Sequence, residues 1–292
     1  MRDETIHILG AGIVGICTAL SLLEKGFKVE LIDRNDPASG ASYGNAGVIS
    51  PWSCIPQSMP GLWKQAPKWL IDPEGPLSLR WSYAPHMIQW LRQFLHSGRP
   101  ENLAQIAAGM NELNRPNVEL YTQHLKDTGH ENLLKESMYV HAFRDAGGAD
   151  LGKLAWRIRD AYEVPMERVE GGALQDIEPE ISSEYKAAIL IKDQARAIDP
   201  GAIGRVLLDK ARGMGAHFRN AEVLALRPSE TGWTIDTSGG AICAQILVMA
   251  TGAWSMRLLE PLGYKMPLEA ERGYHLMFKN PGIAINNSIM DV

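Results

Sequence analysis

The chain has 292 residues, 45% of them hydrophobic, and a formal net charge of −5. That length accommodates two domains and a sizeable core, and an acidic balance without any basic run argues against a nucleic-acid partner. Three dispersed cysteines, Cys17, Cys54 and Cys243, give no disulfide framework and no metal-ligand spacing, so a reducing compartment is expected, with Cys17 a small buried hydrophobe. The N-terminal Met1-Arg2-Asp3-Glu4 runs straight into the first strand with no room for a signal peptide. No apolar run approaches the ~18 residues of a spanning helix, and the expected location is cytoplasmic. The histidines are scattered, and no metal site is expected. Neither a nucleophile elbow nor a Gly-Lys-Ser/Thr phosphate loop is present, so hydrolase and kinase readings lack their defining geometry.

Ile6 to Leu9 reads as a buried strand, Gly10-Ala11-Gly12-Ile13-Val14-Gly15 as a turn, and Ile16 to Lys25 as a helix. In such a unit Gly10 permits the turn, Gly12 admits a pyrophosphate to the backbone, and Gly15 lets helix and strand approach closely. The helix N-terminus at Ile13 and Val14 then points its N–H groups at the phosphates. Glycine turns also join strands to helices in proteins that bind nothing, so the context matters. Gly26 ends the helix, Lys28 to Ile32 alternates as a second strand, and Asp33 stands at its end, about 20 residues onward. An acid there accepts hydrogen bonds from an adenosine ribose and disfavours a 2′-phosphate, so FAD or NAD fits better than NADP.

Asn35 to Ser50 is a loop of small and polar residues, which by composition alone is equally an ordinary surface connection. Pro51 to His96 holds Trp52, Trp63, Trp69, Trp81 and Trp90 among Pro56, Pro60, Pro67, Pro73, Pro76 and Pro85, which break it into short helices and turns. Two readings stand: short helices packed in a substrate domain, or a membrane-facing patch. His86 to Leu95 and Asn102 to Asp127 are helical, with Leu103, Ile106, Ala107, Met110 and Leu113 on one face, an interruption at Pro116 and a stop at Gly129. Ser137 to Phe143 alternates as a strand, and Asp150 to Tyr162 returns to helix, a mixed α+β region. Asp199 caps a helix from Gly201 to Met214, with Pro200 in its first position. His217 to Arg219, Glu222 to Leu226, Trp233 to Thr237 and Gln245 to Met249 follow as strands, and Glu271 to Leu276 is strand-like.

The glycine turn, the Asp33-Arg34 pair, the Ser42-Tyr43-Gly44-Asn45-Ala46-Gly47-Val48 loop and the strand running into Ala250-Thr251-Gly252-Ala253-Trp254 together resemble the D-amino-acid dehydrogenase branch of the FAD-dependent D-amino-acid oxidase superfamily. The resemblance runs over essentially the whole chain. It implies an α/β fold in which a Rossmann-like FAD-binding domain, residues 1–49 and 199–256, is interleaved with an α+β substrate domain, residues 50–198 and 257–292. It implies FAD as cofactor, with Ser42, Asn45, Ala46, Gly47 and Val48 along the flavin, Val223 at the adenine, and Ala250, Thr251, Gly252 and Trp254 close to the cofactor; Val223 equally reads as a core valine. Tyr274 and His275 are the expected pocket residues, with Trp52 near the flavin loop. Arg272 either pairs with a substrate carboxylate or with Glu271 or Glu269. The chain ends at Val292, about a hundred residues before members of the branch do, so a truncated fold is expected, completed by a missing C-terminal segment or a second subunit.

The implied activity is oxidative deamination of D-amino acids by hydride transfer from Cα to flavin, giving a 2-oxo acid and ammonia. Electrons then pass to an acceptor, with a membrane quinone pool and a position peripheral to the inner membrane in view. Within the same chemistry the alternative is a secondary amine such as D-proline, D-hydroxyproline or sarcosine. A different class is a catalytically silent flavin- or partner-binding chain. An NAD-dependent dehydrogenase rests on the first thirty-four residues alone and leaves the Asn-Ala-Gly loop unexplained.

Overall fold

The computed structural model describes residues 4–71, 79–268, 270 and 272–292. Met1 to Asp3, the prolines Pro73 and Pro76, and Glu269 and Glu271, named above as partners for Arg272, lie outside the described residues. In chain order the elements begin with β1 (Thr5–Leu9), α1 (Ile13–Glu24), β2 (Lys28–Asp33), β3 (Val48–Ile49), α2 (Leu62–Ile71), α3 (Ala84–Ser97), α4 (Pro100–Asn114) and α5 (Asn117–Leu125). They continue with β4 (Leu134–Phe143), α6 (Leu154–Asp160), β5 (Met166–Glu170), α7 (Gly172–Ile177), β6 (Ala187–Ala197) and α8 (Pro200–Gly213). The last are β7 (His217–Asn220), β8 (Val223–Ser229), β9 (Gly232–Thr237), β10 (Gly240–Ala244), β11 (Ile246–Met249), α9 (Ser255–Leu259) and β12 (Ser288–Asp291).

Two compact units divide the chain, the first comprising Met1–Val48, Glu119–Glu136 and Ala195–Ala284, the second Ile49–Val118, Ser137–Gln194 and Ile285–Val292. Relative to the division expected from sequence, residues 119–136, 195–198 and 257–284 fall in the first unit and Ile49 in the second.

The first unit is built on a parallel sheet of order β11-β1-β2-β7. Ile6 to Leu9 are buried throughout, as a central parallel strand covered on both faces requires. On one face α1 and α8 bury Ile16, Ala19, Leu20, Ile203, Leu207 and Ala211 against Ile8 and Leu31. On the other, the antiparallel ribbon β8-β9-β10 packs Leu226 and Ile235 on Leu9 and Ile32. The side chain of Asp199 accepts a hydrogen bond from the Ala202 N–H at 2.8 Å, with Pro200 in the first turn of α8. Strand order reverses between β1 and β11, and both strands deliver their carboxyl ends to the same place: the Ala250 N–H donates to the Leu9 carbonyl and the Gly10 N–H to the Ile32 carbonyl, each at 2.8 Å. Such a switch point is where open α/β sheets bind ligands.

The second unit holds a mixed sheet of order β12-β4-β6-β3, with β5 antiparallel to β6 and β12 parallel to β4. One face carries Phe143, Trp156, Ile189 and Ile191, the other Val140, Leu174, Ala188 and Leu190. Glu178, fully buried, accepts from the Asn286 N–H at 3.1 Å and from Asn287 Nδ2 at 2.6 Å, while Asn287 Oδ1 accepts from the Met138 N–H at 2.7 Å. This chain of bonds ties β12 beside β4.

Several expectations change. Helix α6 is shorter than the periodicity over 150–162 indicates, because the turn at Asp150 to Lys153 is tied down by the Asp150 carboxylate, which accepts from the Gly152 N–H at 2.8 Å. Leu113 is 82% exposed, at the last turn of α4, past the stripe that buries Leu103 and Ala107. Residues 272–276 form no strand and are exposed, because they have no ladder partner among the described residues.

Candidate functional site

A cleft of about 430 Å³ opens at the switch point of the first unit, lined by residues 10–14, by Ile32 to Asp36, by the loop from Ala38 to Ser42 with Asn45, by Ala221 to Val223, by Ala250 to Gly252, and by Trp254, Arg257 and Leu258. Its floor is glycine backbone. Gly10 has φ +101°, and a Cβ there would run into the Ala250 carbonyl; a Cβ on Gly15 would overlap the Gly10 carbonyl, so the helix could not enter at this angle. Helix α1 has no acid in its first turn and no side-chain cap from Gly12. Its first N–H, on Ile13, donates instead to Ser42 Oγ at 2.9 Å, which leaves an electropositive helix end facing the cleft.

Asp33 is set by two backbone donors. Its Oδ2 accepts from the Ala11 N–H at 2.8 Å and its Oδ1 from the Asn35 N–H at 2.9 Å. Charge-assisted bonds of this type hold a carboxylate in one orientation, here at the rim between the first two strands. Asn45 shapes the small-residue loop: its Oδ1 accepts from the Gly47 N–H at 2.9 Å and its Nδ2 donates to the Ala41 and Ser42 carbonyls at 3.3 Å. Gly47, at φ +70°, lies against Ala197, whose N–H donates to its carbonyl at 2.7 Å. The Thr251 hydroxyl lies 3.0 Å from Ser255 Oγ.

Of the residues named from sequence, Gly10, Gly12, Ile13, Val14, Asp33, Arg34, Ser42, Asn45, Val223, Ala250, Thr251, Gly252 and Trp254 line this one cleft. Gly15, Ala46, Gly47 and Val48 are not on its wall: Gly15 sets helix packing, and the other three follow the loop away from it. Tyr274, at 88% exposure, and His275 do not line it either. The His275 ring instead lies against Gly44, leaving no room for a Cβ there. A group absent from the sequence reading closes the rim. Glu222 Oε1 is shared at 3.4 Å by Arg34 and Arg257, and the Arg34 guanidinium sits 5.2 Å from the centre of the Trp254 ring. Glu222 adjoins Val223 in sequence, but only the fold brings Arg257 to it. Cys17, half-buried on α1, packs against the core shared with α8, and burial pushes its thiol up to about 12, so it is an inert group.

The glycine turn, where a Cβ on Gly10 would meet the Ala250 carbonyl, the helix end without an acid in its first turn and the oriented acid fit a dinucleotide, with the phosphates at α1 and a ribose at Asp33. Among the described residues no group of three or more His, Cys, Asp or Glu has metal-ligand geometry, and no helix is long and apolar enough to cross a membrane.

Fold and cleft together define a nucleotide-binding α/β protein. The family model described as FAD dependent oxidoreductase matches residues 5–291, and the chain belongs to that family. A D-amino-acid oxidase of Bradyrhizobium diazoefficiens is 35% identical over 289 residues, covering 98% of this chain and 68% of the relative. Among solved structures, glycine oxidase from Geobacillus kaustophilus shares the fold with a TM-score of 0.60 at 20% identity, over 90% of this chain and 59% of that one. L-amino acid deaminase from Proteus vulgaris does so with a TM-score of 0.63 at 17% identity, over 91% of this chain. The chain spans about half of that deaminase. Membership of this family makes FAD the cofactor of this chain.

Proposed function

We propose that the chain oxidises the Cα–N bond of a D-amino acid, with FAD in the cleft of the first unit, giving an imino acid that hydrolyses to a 2-oxo acid and ammonia. The observation that carries this reading is the cleft itself, in which thirteen of the residues named from sequence share one wall at the strand switch point. When bound, the flavin supplies the two-electron acceptor for the substrate hydride. The chain's own part is to bind and orient. Gly10 and Gly12 would let the backbone approach the pyrophosphate, the N-terminus of α1 would favour its charge, Asp33 would accept from the ribose, and the loop held by Asn45 would offer small residues to a flat ring. A secondary amine such as D-proline, D-hydroxyproline or sarcosine is the near variant. A dehydrogenase passes the electrons to an acceptor other than oxygen, and a quinone of the membrane suits that role.

A second reading is favoured by one observation: Tyr274, the pocket residue expected from sequence, is 88% exposed. On that reading the chain binds flavin without turnover and works with a further segment or subunit. Anaerobic addition of D-alanine and then D-proline to the FAD-loaded chain separates the two. Bleaching of the flavin bands supports amine oxidation, and bands that persist with every amine leave the silent flavoprotein.

A further inference from the structure

In the second unit α2 and α3 each carry an apolar stripe that nothing among the described residues covers. At the ~100° turn per residue of an α-helix, Trp63, Leu70 and Ile71 fall on one side of α2, and Ile88, Leu91 and Leu95 on one side of α3. Their exposures are 61%, 38% and 82%, then 58%, 45% and 41%. The side chains on the packed side are different ones: Leu62, Ala66 and Trp69 on α2, and Met87, Trp90 and Phe94 on α3, are half-buried, as are Ala84 and Ser97 at the ends of α3. No residue of α3 is fully buried. An exposed apolar stripe running beside the packed face is more than the scattered surface leucines of ordinary proteins.

The charges beside these stripes have one sign. Lys64 and Lys68 follow the apolar stripe around α2, Arg92 follows that of α3, and Arg80 precedes α3; residues 62–71 and 79–97 contain no acid, although the whole chain carries −5. The intervening Asp72 and Glu74 lie outside the described residues. The Lys64 ammonium sits 5.6 Å from the centre of the exposed Trp63 ring, so the same edge presents an aromatic and a cation. Aromatic and branched apolar side chains flanked by lysine and arginine are the composition of a helix that lies in a membrane interface, where the apolar stripe enters the acyl boundary and the cations meet anionic headgroups. A second copy of this chain would bring cation against cation on these edges.

We propose that α2 and α3 form an interfacial anchor for an anionic lipid surface. The anchor deepens the proposed function and its purpose rests on that reading, because it would hold the flavoprotein beside a membrane acceptor. Its physical basis is independent of turnover.

The test is sedimentation of the full chain, loaded with FAD, with vesicles of phosphatidylcholine alone and of phosphatidylcholine mixed with phosphatidylglycerol. The chain should pellet with the mixed vesicles, lose that binding as salt rises, and shift its tryptophan emission to the blue. Lys64→Gln with Lys68→Gln should lower the partition coefficient by about thirtyfold, roughly fivefold for each lysine. Ile88→Ser with Leu91→Ser should also abolish pelleting, with the far-ultraviolet circular dichroism unchanged; if that variant misfolds, the lysine pair carries the test. Absence of binding, equal binding to both vesicle types, or lysine variants that pellet like the wild type would overturn the proposal. So would a dimer on gel filtration that Ile88→Ser with Leu91→Ser dissociates, which would assign the stripes to a second copy. Amine oxidation is read separately with a soluble dye acceptor and no vesicles, so either reading can fail alone.

Discussion

Around the cleft of the first unit the polar side chains have their partners: Asp33 with two backbone N–H groups, Ser42 with the Ile13 N–H, Asn45 with its own loop, and Glu222 with two arginines. On the aromatic face of the second unit His141 Nε2, Trp52 Nε1 and Arg159 Nε are buried without a hydrogen bond, as are both amide atoms of Gln194 elsewhere in that unit. The two buried histidines on strands each leave one ring nitrogen without a hydrogen bond, but differ in the charge that faces them. Burial pushes His7 down, but Glu30, 3.3 Å away, opposes it. His141 lies edge-on to Trp156 with Arg159 nearby, and burial with that guanidinium takes it to about 4. The cleft of the first unit is therefore organised to present a fixed polar surface, whereas the second unit depends on keeping an imidazole neutral.

The largest effect that would break this contrast is in the packing of α1 on the glycine turn that carries the cleft. Gly15→Val places a side chain on the Gly10 carbonyl and should destabilise the first unit by more than about 3 kcal/mol, with FAD retention lost, as measured by denaturant unfolding and by flavin absorbance after gel filtration. Next comes the acid response of the second unit. The unfolded chain takes up a proton near pH 6.5 and folded His141 only near 4, so stability is complete above 6.5 and falls by about 3 kcal/mol as pH drops to 4. His141→Gln should flatten that slope in urea melts taken across the range; an unchanged slope would place the acid-sensitive group elsewhere. Asp33→Asn removes the charge that receives the two backbone donors and should cost about 2 kcal/mol of FAD affinity, or roughly thirtyfold in Kd by fluorescence titration. The smallest effect sharpens the contrast from outside the cleft: Asp199→Ala removes the cap of α8 and should cost about 1 kcal/mol of stability while leaving the FAD Kd unchanged.

The cofactor end was legible in sequence because its determinants are local. Gly10, Gly12 and Gly15 are required by backbone approach, and Asp33 by its distance along one β-α-β unit. Asn45 could be placed on the cleft from its loop, although its hydrogen bonds serve the loop's own shape. What escaped reading depends on pairing across the chain. The Arg34–Glu222–Arg257 group joins residues more than 180 positions apart. β10 and β12 are short and weakly patterned, and β12 is held by Glu178 acting across 109 residues. Alternation over 271–276 suggested a strand, but alternation specifies a strand only where a neighbour completes its ladder. In the tryptophan-rich stretch Trp90 stacks on Phe94 at 4.9 Å, whereas Trp63 is exposed, a difference that spacing along the chain does not encode.

The central claim, that the switch-point cleft holds FAD, is tested most directly by gel filtration after incubation with FAD, comparing the wild-type chain with Gly12→Val. A Cβ at Gly12 approaches Ser42 Oγ to 3.3 Å, and the larger side chain would fill the cleft floor while leaving the strands in place. The account predicts equimolar flavin absorbance in the wild-type peak and none in the variant, with both chains folded by circular dichroism. A wild-type peak without flavin, or a folded variant that keeps it, would contradict the claim.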